Sequence, residues 1–124
     1  MIILDMSDKR PLYEQILSRF KEMIEKGILA KDEQMPSVRA LSMDLSINPN
    51  TIQRAYTELE REGYIYSVKG RGSFVADISN LMPKRVEEFY EELNILIEKS
   101  TTYGIARREI IRYIEEFDKR GGKP

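Results

Sequence analysis

The stretch from Ser46 to Gly63, SINPNTIQRAYTELEREG, constrains the fold more than any other part of the chain. Asn48-Pro49 is typical of a helix start, because asparagine can cap a free N–H of the first turn and proline brings a preset φ to the first helical position. Apolar residues then recur at i, i+3, i+4 and i+7, which is the spacing of one helix face. This apolar stripe consists of Ile52, Ala55, Tyr56 and Leu59. Gly63 suits the residue that follows the helix.

The opposite face of this predicted helix carries hydrogen-bonding side chains. At about 100° per residue, the side chains that point away from the stripe are Asn50, Arg54, Thr57 and Arg61, with Thr51 and Gln53 on its flanks. Such a face suits base edges and phosphates in a DNA major groove. Any surface helix also shows a polar face opposite an apolar stripe, and on this helix alone that alternative stays open.

The N-terminal part of the chain predicts one amphipathic helix. Apolar residues repeat at helical spacing between Pro11 and Gly27, so we expect a helix there with its stripe facing the core. Before it, the apolar residues of Met1–Met6 are expected to form a short extended arm. After it, residues 28–29 are expected to form a short strand and residues 31–35 a polar turn.

A shorter helix is predicted to begin at Pro36-Ser37, with Ser37 as its cap. Only residues 46–48 separate it from the polar-faced helix, so the two together predict a helix-turn-helix. Arg39 lies in the first turn of the shorter helix, where a positive charge is unfavourable unless it has an anionic partner. DNA is one such partner; pairing with nearby Asp44, or a surface arginine with no partner, is the alternative.

The next segment predicts a basic β-hairpin. Two β-prone runs at residues 64–68 and 73–76 flank a loop that contains two glycines, which allow the backbone to approach a partner closely. After a helix-turn-helix, such a hairpin is expected to be a wing that lies along DNA phosphates or enters the minor groove. A solvated turn whose charges keep the strand edge soluble is the alternative. The loop residues are Lys69, Gly70, Arg71 and Gly72.

The last third of the chain predicts two amphipathic helices after a linker at residues 77–83. We therefore expect two domains, a winged helix-turn-helix over 1–77 and a helical hairpin over 78–124. Two helices can bury little surface, so their stripes would form a large apolar patch, made of Phe89, Leu93, Ile97, Ile110, Ile114 and Phe117. We expect this patch to dimerise the chain, because a DNA reader gains from two-fold symmetry. Packing on its own first domain is the alternative, and the acidic run at residues 87–92 is expected to be a solvated face rather than a metal site.

Composition excludes several classes of function. The 124 residues contain no cysteine and no histidine, which removes thiol chemistry, the usual general base and the commonest zinc and iron ligands. We therefore expect neither enzyme activity nor a cofactor. No apolar run approaches the ~20 residues of a membrane span and no signal peptide is evident, so a cytoplasmic protein is expected. The net charge of −1 counts mildly against nucleic-acid binding, although helix N-termini and backbone N–H groups also hold phosphates.

The order of these parts resembles the GntR family of bacterial winged-helix transcription regulators. The matching segments are PLYEQI at 11–16, MPSVRAL at 35–41, NPNTIQRAY at 48–56 with Leu59-Glu60, GYI at 63–65 and GRGSFV at 70–75. The short two-helix tail resembles the YtrA-like subfamily, whereas other subfamilies carry a much larger effector-binding domain. The resemblance implies a mainly α fold with a small β-hairpin, in which a winged helix-turn-helix precedes a two-helix hairpin.

The same resemblance implies a homodimer that binds a partly palindromic operator in double-stranded DNA and usually represses transcription. The residues that match DNA-contacting positions of the family are Arg39, Asn50, Thr51, Gln53, Arg54, Lys69 and Gly70, with Arg71 and Gly72 extending the wing. Pro49 stands where some members have arginine, so a different base preference is expected. The operator sequence and any small-molecule effector are left open. A winged-helix adaptor that binds proteins without reading DNA is the alternative function.

Overall fold

The computed structural model describes Leu4 and residues 7–121. In this part of the chain the elements follow in the order α1 (Leu12–Glu25), α2 (Val38–Leu45), α3 (Pro49–Arg61), β1 (Ile65–Val68), β2 (Gly72–Val75), α4 (Met82–Thr102) and α5 (Arg107–Lys119). The predicted fold class, mainly α with a small β-hairpin, is confirmed. Apart from Leu4, the arm predicted at the N-terminus lies outside the described residues.

The chain divides into two compact units, one ending at Leu81 and the other beginning at Met82. The first unit contains α1, α2, α3 and the hairpin. Ile78 and Leu81 follow the hairpin and pack against the core of this first unit. Leu81 also lies against Gly63, where an added Cβ would stand 3.5 Å from its side chain.

The core of the first unit is built from the apolar stripes that the sequence predicts. Side chains of α1, α2, α3, the hairpin and the segments that join them meet in it, namely Ile16, Phe20, Ile24, Met35, Leu41, Ile52, Ala55, Tyr56, Leu59, Tyr64, Ile65 and Val75. The rings of Phe20 and Tyr56 pack edge to face at 5.6 Å, which ties α1 to α3. Because the whole stripe of α3 is buried, its opposite face is fixed toward the surface.

Side-chain caps place the starts of α2 and α3. The Ser37 hydroxyl accepts a hydrogen bond from the Ala40 N–H at 3.0 Å, and the Asn48 side chain accepts one from the Asn50 N–H at 2.8 Å. Both caps are those that the sequence predicts. Between the helices, Ser46 adopts a left-handed conformation with φ 54° and ψ 44°, which turns the chain sharply from α2 into α3.

The hairpin is antiparallel and pairs Ile65 with Val75 and Val68 with Gly72. Of residues 31–35, predicted to be a polar turn, residues 31 and 32 do form a turn, but residues 32–35 also run along the free edge of β2. The Asp32 N–H donates to the Val75 carbonyl at 2.8 Å, and the Met35 N–H donates to the Ser73 carbonyl at 2.8 Å. β2 therefore makes backbone hydrogen bonds along both edges, to β1 on one side and to residues 32–35 on the other.

The prediction of a short strand at residues 28–29 is wrong. These two residues form a bend after α1. Their N–H groups both donate to the carbonyl of Met23, at 2.8 Å from Ile28 and 3.2 Å from Leu29. Because both donors are used to close the end of the helix, neither is available for pairing with a strand.

The second unit consists of α4, α5 and a tight turn that joins them. Gly104 has φ 71°, and the Ile105 N–H donates to the Ser100 carbonyl at 2.9 Å to close the turn. Ser100 is the buried residue of α4, and α5 has none among the residues described. Large apolar side chains of both helices stay more than half exposed, including Phe89, Leu96, Ile111 and Ile114. Leu93, Ile97, Ile110 and Phe117 are half-buried.

Two further features of the described residues bear on function. Among the described helices, none combines the length with the hydrophobicity that a bilayer span requires. Their carboxylates, including those at positions 87–92, form no group of three that could hold a metal ion.

Candidate nucleic-acid interface

The first turns of α3 present the predicted reading side chains to solvent. Asn50, Gln53 and Arg54 are exposed, whereas Thr51 is half-buried at the edge of the stripe. Within the described part of the chain, the side chains of Asn50 and Thr51 have no hydrogen-bond partner. The amide of Gln53 donates to the Thr57 hydroxyl at 3.3 Å, a long and easily exchanged bond. Several donors and acceptors are therefore free to meet base edges.

Arg54 is held by an aromatic ring rather than by an acid. Its guanidinium carbon lies 3.6 Å from the centroid of the Tyr13 ring, which α1 supplies. At this distance the planar guanidinium lies against the ring face, in a cation–π contact. Tyr13 is the residue of this candidate site that the sequence pattern did not indicate. By its spacing, three residues before Ile16 and seven before Phe20, Tyr13 lies on the apolar stripe of α1, so the pattern indicated only a core side chain.

Charge is distributed unevenly along α3. Its first half combines Arg54 with the positive end of the helix dipole. Its second half carries Glu58 and Glu60, and Glu62 follows directly after it. Arg61 is paired with one of these carboxylates, because its Nε donates to both oxygens of Glu58 at 2.8 Å. These hydrogen bonds lower the pKa of the Glu58 carboxyl. A polyanion such as DNA would therefore be attracted to the start of α3 and repelled by its end.

Arg39 is exposed in the first turn of α2. In the residues that the structure describes, its guanidinium makes no hydrogen bond or ion pair, so the pairing with Asp44 that the sequence left open is not formed. A free arginine at the positive end of a helix is available to an external anion.

The side chains of the predicted wing tip extend into solvent. Lys69, Gly70 and Arg71 are all exposed, and the side chains of Lys69 and Arg71 have no hydrogen-bond or ion-pair partner within the described ranges. Gly70 has φ +77° with nothing within 4 Å of the place where a Cβ would be, so its conformation, rather than its surroundings, calls for glycine.

Gly72 has a different role, at the base of the wing. It has φ +112°, and an added Cβ would stand 3.2 Å from the Gln34 side chain. That side chain donates from Nε2 to the Arg71 carbonyl at 2.9 Å. Gly72 and Gln34 thus help to set the conformation of the wing tip from its base.

Two open grooves run along the exposed face of α3. One, of about 690 Å³, lies between α1 and α3 and brings Asn50, Gln53 and Arg54 together with Tyr13. The other, of about 510 Å³, lies between α3 and the hairpin and is lined by Gln53, Tyr56, Thr57, Glu60, Arg61, Ser67 and Ser73. Thr51, Arg39 and the wing tip line neither groove. The described geometry therefore gathers three predicted side chains into one site and leaves the others as separate exposed points.

Comparisons with known proteins agree with this description. Residues 12–75 match the family described as bacterial regulatory proteins, gntR family. The HTH-type transcriptional repressor YtrA of Bacillus subtilis (strain 168) is 36% identical over 127 residues, which cover 99% of this chain and 98% of that protein. The match to YtrA thus extends through both units.

Solved structures show the same architecture. A GntR family transcriptional regulator from Listeria monocytogenes superposes with a TM-score of 0.76 at 31% identity, over 91% of this chain and 98% of that one. The DNA-binding domain of AraR, solved in complex with operator ORR3, superposes with a TM-score of 0.53 at 29% identity, over 61% of this chain and 92% of that one.

Proposed function

This chain belongs to the gntR family of bacterial regulatory proteins, and we propose that it is a sequence-specific DNA-binding transcriptional repressor whose α3 reads the major groove. The observation that carries the proposal is the start of α3, where Asn50, Gln53 and Arg54 share one exposed groove at the positive end of the helix. Their amide and guanidinium groups are those that pair with adenine and guanine edges.

Phosphate contacts come from outside this groove. Arg39 in α2 and Lys69 and Arg71 at the wing tip are exposed cations without an acidic partner in the described residues. Such groups fix the position of a protein on the duplex without reading its sequence. The exposed backbone of Gly70 allows the wing to approach the sugar-phosphate chain closely. With a net charge of −1 the protein makes few such contacts, so non-specific affinity is modest.

The second unit makes the protein a homodimer. Its helices leave Phe89, Leu96, Ile111 and Ile114 more than half exposed and bury almost nothing of their own. A second copy of the chain covers these apolar side chains. The two-fold axis of such a dimer places two reading helices on successive major grooves of one duplex. The operator is accordingly partly palindromic. The first unit binds DNA, and the second unit dimerises.

A combined binding and selection experiment tests this function. Genomic fragments are mixed with micromolar protein at ~0.1 M salt and separated by mobility shift, and bound DNA is also selected from random fragments. We expect a small number of retarded fragments that share one partly symmetric site. Absence of any retarded fragment would overturn DNA reading and would favour a winged-helix adaptor that binds other proteins.

A further inference from the structure

Tyr13 lies on α1, outside the helix-turn-helix and the wing, and yet it contacts the reading side chain of α3. The separation of 3.6 Å between the Arg54 guanidinium carbon and the Tyr13 ring centroid is a contact distance for two stacked planes. Through this contact the first helix reaches the candidate reading site.

The ring that supports Arg54 is itself firmly held. Tyr13 is half-buried and packs against the core of the first unit. Its helix begins one residue earlier, and the start of that helix is fixed by the buried Gln15, whose Nε2 donates to the Arg10 carbonyl at 3.1 Å. Further along, the edge-to-face pair of Phe20 and Tyr56 fixes α1 against α3. The position of the ring relative to the backbone of Arg54 is therefore set by the core.

The stack restrains Arg54 without using its hydrogen-bonding capacity. A ring face contacts the plane of the guanidinium, while the five N–H donors lie around its edge. In the described part of the chain, none of these donors is engaged by a protein acceptor. The two carboxylates that share the groove have other partners: Glu58 accepts from Arg61, and Glu14 accepts from the Tyr13 hydroxyl at 3.3 Å.

Together these contacts give the ring a role in base discrimination. A free arginine side chain carries rotamer entropy, part of which is lost when it binds a base edge in one orientation. A guanidinium that is already stacked in one plane loses less of this entropy on binding, and its N–H donors are already oriented. We infer that Tyr13 is a positioning residue that orients Arg54 for a specific base contact. This inference rests on the proposed function.

The test compares two substitutions of Tyr13, each alone and combined with Arg54→Ala. Tyr13→Phe keeps the ring, whereas Tyr13→Leu keeps an apolar side chain but removes the ring. For each protein, fluorescence anisotropy gives the affinity for the selected site and for the same site with one base pair changed at the position that Arg54→Ala makes indifferent. The ratio of the two affinities is the readout, because a purely structural role for Tyr13 would lower both equally.

We expect Tyr13→Leu to reduce this ratio about three- to tenfold, consistent with the strength of a cation–π contact, and Tyr13→Phe to leave it near wild type. In the Arg54→Ala background this ratio is about one whether or not Tyr13 is replaced, so the double variant is compared by its affinity for the selected site, which Tyr13→Leu should not lower further. An undiminished ratio in Tyr13→Leu, an equal loss in Tyr13→Phe, or an affinity of the double variant that falls below that of Arg54→Ala by as much as Tyr13→Leu costs alone would each overturn the inference.

A second readout does not depend on DNA. In the free protein, ring currents should shift the NMR signals of the Arg54 side-chain protons in wild type and Tyr13→Phe, and Tyr13→Leu should abolish the shift. Unshifted Arg54 signals in wild type would overturn the stack itself. If wild type prefers no DNA sequence, the proposed function and the inference both fail; if wild type discriminates and Tyr13→Leu does so equally well, only the inference fails.

Discussion

The hydroxyl of Tyr56 donates a hydrogen bond of 2.7 Å to the carbonyl oxygen of Pro36. Tyr56 is 4% exposed and lies in the middle of the buried stripe of α3. Pro36 immediately precedes the Ser37 cap of α2. The bond therefore joins α3 to the segment just before α2, and one buried contact helps to fix the geometry of the helix-turn-helix.

Replacing Tyr56 with phenylalanine should destabilise the protein. The substitution keeps the ring but leaves the Pro36 carbonyl without this donor, and the loss of such a bond costs on the order of 1 kcal/mol. Urea unfolding of wild type and Tyr56→Phe measures the free energy of unfolding. Tyr66→Phe is a suitable control, since the Tyr66 hydroxyl bonds to Asp32 at an exposed position and its loss should matter less. Equal stabilities of wild type and Tyr56→Phe would contradict the assigned role of the bond.

The same tyrosine predicts a dependence of stability on alkaline pH. Burial raises the pKa of Tyr56 well above its ordinary value of 10.0. Above pH 10 the unfolded chain loses this proton while the folded protein keeps it, so the contribution of Tyr56 is full below that pH and is lost as pH rises toward the folded pKa. The stability advantage of wild type over Tyr56→Phe should therefore shrink between about pH 9 and about pH 11. An advantage that stays constant across this interval would contradict the prediction.

Removing the support of the wing should weaken DNA binding without changing its sequence preference. In Gln34→Ala the Arg71 carbonyl loses its 2.9 Å hydrogen bond, and the wing tip becomes less ordered. If the wing holds phosphate rather than bases, as proposed, affinity for the selected site and for unrelated DNA should fall together, by about 1 kcal/mol or less. Anisotropy titrations with both DNAs measure this, and a loss confined to the selected site would assign base reading to the wing.

Lys69→Ala should change the salt dependence of binding. If each Lys69 neutralises one phosphate, the slope of log affinity against log salt should become shallower by about 0.9 for each copy in the complex. Lys26→Ala is the matched control, because Lys26 lies after the far end of α1 and bonds to Glu22 at 2.9 Å. An unchanged slope in Lys69→Ala would remove the wing tip from the phosphate contacts.

The dimer proposal predicts a change of mass after a single substitution in α5. Ile114 is 53% exposed on the apolar side of the helix, and a glutamate in its place would put a charge into the interface between copies. Analytical ultracentrifugation at micromolar concentration should find wild type as a dimer and Ile114→Glu as a monomer. Arg112→Glu introduces the same side chain on the opposite side of α5 and should remain a dimer. A monomeric wild type would refute the proposal.

Local patterns in the sequence predicted the first unit well because short-range physics decides its helices. The caps at Ser37 and Asn48 and the stripe of α3 depend on residues within a few positions of one another, and all are found where the sequence places them. The pairing of residues 32–35 with β2 could not be predicted in this way. Their polar composition indicated a turn, whereas the strand that holds them lies some forty residues later in the chain.

One part of the candidate site could likewise be predicted from local sequence patterns, and another part could not. The exposure of Asn50, Gln53 and Arg54 follows from helical periodicity once the stripe is known to be buried. The stack of Arg54 on Tyr13 depends on how α1 packs against α3, and no local pattern specifies that packing. A contact between two elements that are distant in sequence becomes visible only in the folded chain.

The specificity of Arg54→Ala decides whether the start of α3 reads base pairs. Anisotropy gives the affinity of wild type and variant for the selected site and for a scrambled duplex of equal length. We predict that Arg54→Ala loses on the order of 1–3 kcal/mol of discrimination between the two duplexes, while the control Arg61→Ala, whose partner is Glu58, keeps it. A variant that lacks Arg54 and still discriminates as well as wild type would contradict the account.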